Sequence, residues 1–108
     1  MVDRQAHHPA NTDRELIALS AAGDRRAFEI LVERHAAAVL RLTTAVTGDS
    51  ASGEDALQQA FLSAYRNASG FRAEASVRTW LLTIGRNAAY RLRDKQGREA
   101  RLEEPLMT

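Results

Sequence analysis

Apolar residues recur at three- and four-residue steps along most of this chain, and that spacing is typical of amphipathic α-helices. The pattern predicts a short helix after Thr12, a long helix over about 25–46, a third over about 50–67 and a fourth from Val77. No alternation of apolar and polar residues indicates a β-strand. The pattern therefore predicts an all-α fold, a compact bundle of about four helices with short connections.

Residues suited to helix ends lie between the predicted helices. Thr12 and Glu15 have the spacing of a capping box, and the side chain of Asp24 can cap the second helix. Ser76 can cap the fourth helix in the same way. Gly97 interrupts the last helical segment, so we expect the helix to end or bend there.

Composition and length suit one domain. The chain has 108 residues, 44% of them apolar, which is ordinary for a folded protein. We expect residues 1–11 to be a flexible tail, 12–101 to form the helical domain, and 102–108 to be a flexible tail or the start of a linker. No apolar run approaches the roughly 20 residues that span a bilayer, so no membrane insertion is expected. The chain has no cysteine, which fits a reducing compartment and an expected cytoplasmic location.

Positive charge is concentrated near the end of the chain. Residues 71–101 contain eight basic and three acidic residues, in a chain whose net charge is only +1. A basic helix of this kind indicates a polyanion-binding surface. Helical spacing puts Trp80, Thr83, Asn87 and Arg91 on one flank, which supplies the stacking, hydrogen-bonding and phosphate-binding groups that single-stranded nucleic acid requires. An ordinary amphipathic helix, with a solvated basic face and Trp80 in the core, explains the same pattern.

The third predicted helix has a polar outer face with one apolar residue in it. Asp55, Gln58, Gln59 and Leu62 lie at helical spacing on this face. An acidic start, two amides and a central leucine suit the docking of a partner helix. A solvated face is the alternative interpretation, because single exposed leucines are common on protein surfaces.

We find no pattern for catalysis or for cofactor binding. Glu54 and Asp55 are adjacent in sequence, so they point about 100° apart on a helix and cannot easily share a substrate atom. The sequence has neither a G-x-S-x-G motif nor the glycine-rich loop and lysine of a P-loop. We therefore expect a binding module that is not an enzyme and needs no cofactor or metal.

Three segments follow one another with short gaps and cover about Asp13 to Arg101. They are DRELIALSAAGDRRAFEILVERH, GDSASGEDALQQAFLSAYRN and FRAEASVRTWLLTIGRNAAYRLR. The E-D-x-x-Q-x-x-F and T-W-L-x-x-I-x-R-N runs are the most characteristic. Together the segments resemble region 2 of bacterial sigma-70 factors of the extracytoplasmic-function (group 4) type. The resemblance implies a non-catalytic subunit of RNA polymerase that recognises and melts the promoter −10 element.

The resemblance also implies two binding surfaces. It implies that the third helix docks on a coiled coil of the polymerase β′ subunit through Glu54, Asp55, Gln58 and Gln59, with Leu62 as an apolar anchor. It implies that the loop 71–76 takes up a base flipped from the −10 element, while the last helix contacts the non-template strand. The expected DNA contacts are Phe71, Arg72, Ala73, Ser76, Arg78, Thr79, Trp80, Thr83, Arg86, Asn87, Tyr90, Arg91 and Arg93.

The chain departs from the family pattern in four places. Gln59 stands where the family commonly has an acid, Arg91 where an aspartate is frequent, and Val77 where an aromatic residue is common. The second helical domain of the family, for the −35 element, is not encoded, so we expect either a cut-out domain or a lone region 2.

Two further hypotheses remain open. One is a sigma mimic that occupies an anti-sigma factor without binding DNA; an anti-sigma factor is an expected partner in either case. The other is a helix-turn-helix protein, although the loop before the basic helix is longer than the turn of that motif.

Overall fold

Four α-helices surround one apolar core in the computed structural model, which describes residues 10–103. The helices are α1 (Asp13–Ala21), α2 (Arg25–Thr47), α3 (Ser50–Arg66) and α4 (Val77–Glu103), and a 3-10 turn spans Ala68–Gly70. Helices α2, α3 and α4 pack against one another, and α1 lies against α2 and the turn. The predicted all-α bundle of four helices is confirmed. Of the predicted tails, residues 1–9 and 104–108 lie outside the described residues.

The predicted helix caps are present. The Thr12 side chain accepts a hydrogen bond from the Glu15 N–H at 3.1 Å, and the Thr12 N–H donates to Glu15 Oε1 at 2.9 Å. The side chains of Asp24 and Ser76 each accept from the third backbone N–H of the helix that follows, at 3.1 and 3.0 Å. Each cap satisfies an N–H group that has no partner within its helix, which fixes where the helix begins.

Helix α4 runs through Gly97 to Glu103, so the predicted helix end at Gly97 is wrong. The alternative, a bend at Gly97, stays a prediction. A single glycine in a helix costs only about 1 kcal/mol relative to alanine. The neighbouring residues are mostly Arg, Lys, Gln, Glu and Ala, which favour helix. In addition, the Gln96 side chain donates to the Ser52 hydroxyl at 3.0 Å, and this bond holds the second half of α4 against α3.

Large apolar side chains from all four helices fill the core. The most deeply buried are Leu16, Leu31, Val39, Val77 and Leu81. Several apolar residues of the helical stripes, such as Leu19, Val32 and Leu57, are only half-buried, whereas the residues at the tightest helix contacts are small. The apolar pattern missed these small residues because glycine and threonine give no hydrophobic signal.

Small residues allow α2 to approach both α3 and α4 closely. Thr43 is fully buried, and its hydroxyl donates to the Gly53 carbonyl of α3 at 2.8 Å. A Cβ atom built on Gly53 would lie 2.8 Å from Thr44 Cα, and one on Gly85 of α4 would lie 2.8 Å from Val39 Cγ1. Neither helix pair could keep this spacing with a larger residue at the contact.

A polar link joins α1 to α2 at the edge of the core. Asp13 Oδ1 accepts from Arg34 Nη1 at 2.9 Å, and Asp13 Oδ2 lies 2.7 Å from His35 Nε2. The imidazole of His35 is buried, and its Nδ1 atom has no hydrogen-bond partner in the described part of the chain. His35 therefore packs on the buried side of α2, and its hydrogen bond to Asp13 helps to hold α1 in position.

We expect Gly53→Ala to destabilise the fold by about 1–3 kcal/mol, because the added methyl meets the backbone of Thr44. Gly97→Ala is the matched control, since a Cβ there meets only the Arg101 side chain at 3.8 Å. It should stabilise α4 by about 0.5–1 kcal/mol through helix propensity. Urea unfolding followed by the fluorescence of Trp80 measures both, and equal stabilities for the two variants would contradict the close packing of α2 on α3.

Candidate functional site

The side of α4 that faces away from the core is polar and basic. Leu81, Ala88 and Ala89 bury the inner side of the helix. Thr83, Asn87 and Arg91 lie within about 80° of one another around the axis on the outer side, because they are four residues apart. The exposed residues of the predicted interface on α4 are Arg78, Thr79, Thr83, Arg86, Asn87, Tyr90, Arg91 and Arg93.

Most cations of this surface form no ion pair in the described part of the chain. Within residues 71–103 the one ion pair joins Arg93 to Asp94 at 3.6 Å. The guanidinium of Arg93 also lies 4.6 Å from the centre of the Tyr90 ring. Because Arg86 and Arg91 have no carboxylate partner in the described range, their field extends into solvent, where it favours phosphate groups.

Arg78 is separated from this flank. It is exposed, but it precedes Asn87 by nine residues, which is two and a half helical turns. It therefore projects from the opposite side of α4 at the start of the helix. Its contact with nucleic acid stays a prediction.

The loop 71–76 is bound to the bundle at its first aromatic residue. The Phe71 and Trp80 rings meet edge to face, with centroids 5.4 Å apart and planes at 74°. Both rings are half-buried against the core cluster. Trp80 thus belongs partly to the core and keeps part of its indole accessible, whereas Arg72, Ala73 and Ser76 are exposed.

Arg14 of α1 is a loop contact that the sequence did not reveal. Its Nη2 atom donates to the Ala73 carbonyl at 3.2 Å, across 59 residues of sequence. A cleft of about 230 Å³ separates α1 from the 3-10 turn and is lined by Arg14, Ile17 and Phe71 among others. A hydrogen bond between residues 59 apart leaves no local sequence pattern. The only sequence feature that could have indicated it is an exposed arginine on α1 with no predicted partner.

The outer face of α3 is open to solvent. Glu54, Asp55, Gln58 and Gln59 are exposed, and half of the Leu62 surface is accessible. None of these five side chains is covered by another described segment. The surface is therefore available to a partner.

An apolar groove of about 440 Å³ adjoins this face, between α2 and α3. Phe28, Phe61 and Tyr65 form much of its wall, and the rings of Phe61 and Tyr65 meet Phe28 edge-on at 6.3 and 5.0 Å between centroids. Gln58 and Leu62 also line the groove. Leu62 is thus the outermost part of an apolar surface and not a solitary leucine.

Gln59 lies on the other side of α3 and does not line this groove. It lines a smaller cleft between α3 and α4, of about 190 Å³, together with Arg91 and Lys95. The predicted docking residues therefore do not all line the same cleft. Gln58 and Leu62 adjoin α2, whereas Gln59 adjoins the basic helix.

Two other kinds of site, a membrane span and a metal centre, are absent from residues 10–103. No helix in that range is both long enough and apolar enough to cross a bilayer. No three His, Asp or Glu side chains there are grouped so as to hold a metal ion.

Comparison with known proteins identifies similar sequences. The family model described as Sigma-70 region 2 matches residues 31–99. The ECF RNA polymerase sigma factor SigM of Mycobacterium tuberculosis is 46% identical over 77 residues, which are 71% of this chain and 39% of SigM. The ECF RNA polymerase sigma-E factor of Escherichia coli K12 is 36% identical over 87 residues, 81% of this chain and 45% of that factor. This chain spans less than half the length of either relative.

A solved structure shares the fold. It is an NMR structure of an engineered region 2 of sigmaE in complex with GTAAAA. The two folds agree with a TM-score of 0.78 and 35% sequence identity, over 88% of this chain and 97% of that one.

Removal of the Arg14 contact should loosen the loop without unfolding the bundle. We expect Arg14→Ala to speed tryptic cleavage after Arg72 about fivefold, because one exposed hydrogen bond contributes about 1 kcal/mol to the closed state of the loop. Arg41→Ala, which removes an exposed arginine of α2, is the control for loss of charge. The same cleavage rate at Arg72 in both variants would show that Arg14 does not hold the loop.

Proposed function

This chain belongs to the sigma-70 region 2 family, of the extracytoplasmic-function type, and on that premise we propose that it opens promoters for RNA polymerase. In this proposal the α4 flank and the loop 71–76 hold the non-template strand of the −10 element. The outer face of α3 docks on the β′ coiled coil of the polymerase. The chain performs no covalent chemistry, and it acts in the cytoplasm, where the polymerase is.

The observation that supports the proposal most strongly is that Arg86 and Arg91, which form no ion pair in the described part of the chain, lie on the same helix as the exposed amide of Asn87. Arginines bind phosphates in any sequence, so Arg86 and Arg91 supply affinity without selectivity. Asn87 has both a donor and acceptor for a base edge. Because Asn87 and the cations lie on one rigid helix, a strand held by its phosphates would present its bases to the amide.

The loop beside α4 suits a base that has left the stack. Unstacking costs a few kcal/mol, and a protein offsets that cost by enclosing the extruded base between apolar or aromatic walls. The half-buried pair Phe71 and Trp80 provides such a wall, and Ala73 and Ser76 of the same loop are exposed. We assign the loop to the flipped base and the helix to the strand on either side of it.

The α3 surface suits a helical partner. A coiled coil presents apolar side chains flanked by charged ones, and the α2–α3 groove next to Leu62 can take up such a side chain. Glu54 and Asp55 give the rim a negative end for basic residues of the partner. An anti-sigma factor that competes for this face is a second proposed protein partner.

No observation favours a sigma mimic that never binds DNA. Such a protein would need the α3 face alone. The uncompensated positive charge of α4 would then cost stability with no function in return.

Loss of the Asn87 amide should weaken binding to single-stranded GTAAAA. We expect Asn87→Ala to lower the affinity by about 1–3 kcal/mol and to narrow the preference for GTAAAA over a scrambled hexamer, because a base contact is lost. The slope of log affinity against log salt should not change. Fluorescence anisotropy at low salt measures the affinity and the slope together.

The matched variants separate the base contact from the phosphate contacts. Arg86→Ala should reduce the salt slope by about 0.7 and weaken both hexamers equally. Arg41→Ala, on α2, should leave the salt slope and the affinity for each hexamer unchanged. Equal binding of the two hexamers by the unaltered chain would refute the proposed base recognition.

Changes to the α3 face should weaken docking and leave DNA binding intact. We expect Asp55→Ala combined with Gln58→Ala to reduce affinity for a β′ coiled-coil fragment at least tenfold, because buried polar contacts at interfaces are each worth about 1–2 kcal/mol. Glu99→Ala, which removes an exposed carboxylate from α4, is the control. Calorimetric titration that gives equal affinities for the double variant and the control would exclude docking through this face.

A further inference from the structure

The cleft between α3 and α4 has the composition of an anion site. Its volume is about 190 Å³, room for several water molecules at about 30 Å³ each. Ala88 and Leu92 form its apolar walls, Gln59 lines it from α3, and Arg91 and Lys95 line it from α4. Its donors are thus a guanidinium, an ammonium and an amide from two helices, and no carboxylate lines it.

The two cations of this cleft lie side by side, and neither forms an ion pair in the described part of the chain. Arg91 and Lys95 are four residues apart, so they are neighbours on one side of α4. Like charges at this spacing destabilise a helix by a few tenths of a kcal/mol. No carboxylate within residues 10–103 forms an ion pair with either side chain. An anion between them would remove the repulsion, and the Gln59 amide could donate a further hydrogen bond to it.

We propose that the α3–α4 cleft binds one backbone phosphate of the single strand that α4 holds. The inference rests on the proposed function, since it extends the path of that strand beyond Asn87. It also gives Gln59 a nucleic-acid role in place of the polymerase contact that the sequence implied. A phosphodiester fits better than an acidic protein segment because the cleft continues the flank of α4 that presents Asn87.

Helix geometry sets how far the strand must extend. Arg91 and Lys95 follow Asn87 by four and eight residues, which is about 6 and 12 Å along the axis. A stacked strand advances about 3.4 Å per nucleotide. A strand held at Asn87 therefore reaches the cleft about two to four nucleotides further on.

The test compares GTAAAA with the same hexamer extended by three abasic nucleotides at its 5′ or its 3′ end. Abasic units add phosphates without bases, so any gain in affinity reports backbone contacts. We expect one of the two extensions to bind the unaltered chain several-fold more tightly and to steepen the salt slope by about 0.7 for each added phosphate contact. Arg91→Gln combined with Lys95→Gln should abolish that gain, which is the ratio of the affinities for the extended strand and for the hexamer measured with the same variant. Loss of the Arg91 contact to the hexamer lowers both affinities and therefore cancels in the ratio.

Two variants make the test specific to the cleft. Arg98→Gln combined with Arg101→Gln removes the same charge from the same helix, about 16 and 21 Å along the axis from Asn87 and therefore past the cleft, and it should keep the gain. Gln59→Glu keeps the shape of the side chain but adds a carboxylate, and it should reduce the gain.

The outcomes distinguish this inference from the function on which it rests. Hexamer binding that depends on Asn87, with no gain from either extension, would overturn the cleft and leave the proposed function standing. If both double variants lost the tighter binding of the extended strand to the same extent, net charge and not the cleft would explain that binding, and the inference would be overturned. If Gln59→Glu weakened binding to the β′ fragment and not to the extended strand, the cleft would belong to protein docking. Absence of any hexamer binding would refute the proposed function itself.

Discussion

The close approach of α2 to α3 and α4 is the contact on which the rest of this structure depends. Gly53 and Gly85 leave no side chain between the helices, and the buried Thr43 hydroxyl satisfies a carbonyl of α3 at the same level. Contacts this tight have few alternative arrangements, because a shift of either helix would create overlaps or voids. The bundle therefore fixes which side of α4 is buried and which side is presented to a ligand.

This arrangement lets one helix serve two surfaces. Helix α3 contributes Gln58 and Leu62 to the apolar groove against α2, and Gln59 to the cleft against α4. The apolar groove proposed for docking and the positively charged cleft therefore lie on different sides of α3. The separation has a physical basis, since a desolvated apolar contact would raise the cost of burying nearby unpaired cations.

The loop before α4 takes its order from contacts with α4 and α1. The edge-to-face pair of Phe71 and Trp80 holds its start, and the bond from Arg14 to the Ala73 carbonyl holds its middle. The intervening side chains remain exposed. A segment held at two points in this way can present its backbone to a base while it loses little conformational entropy on binding.

The sequence by itself determined the helices, three of their caps and the concentration of charge on the last helix. These features depend on residues three or four apart, so the sequence contains them directly. It also indicated which side chains of α4 and α3 would be exposed, although their contacts with DNA and polymerase stay predictions. Only the tertiary structure decided that Gln58 and Gln59 line different clefts, that Trp80 is half-buried and that Arg14 donates to the Ala73 carbonyl. Those features depend on how separate helices meet, and the small residues that control the meeting leave no periodic signal.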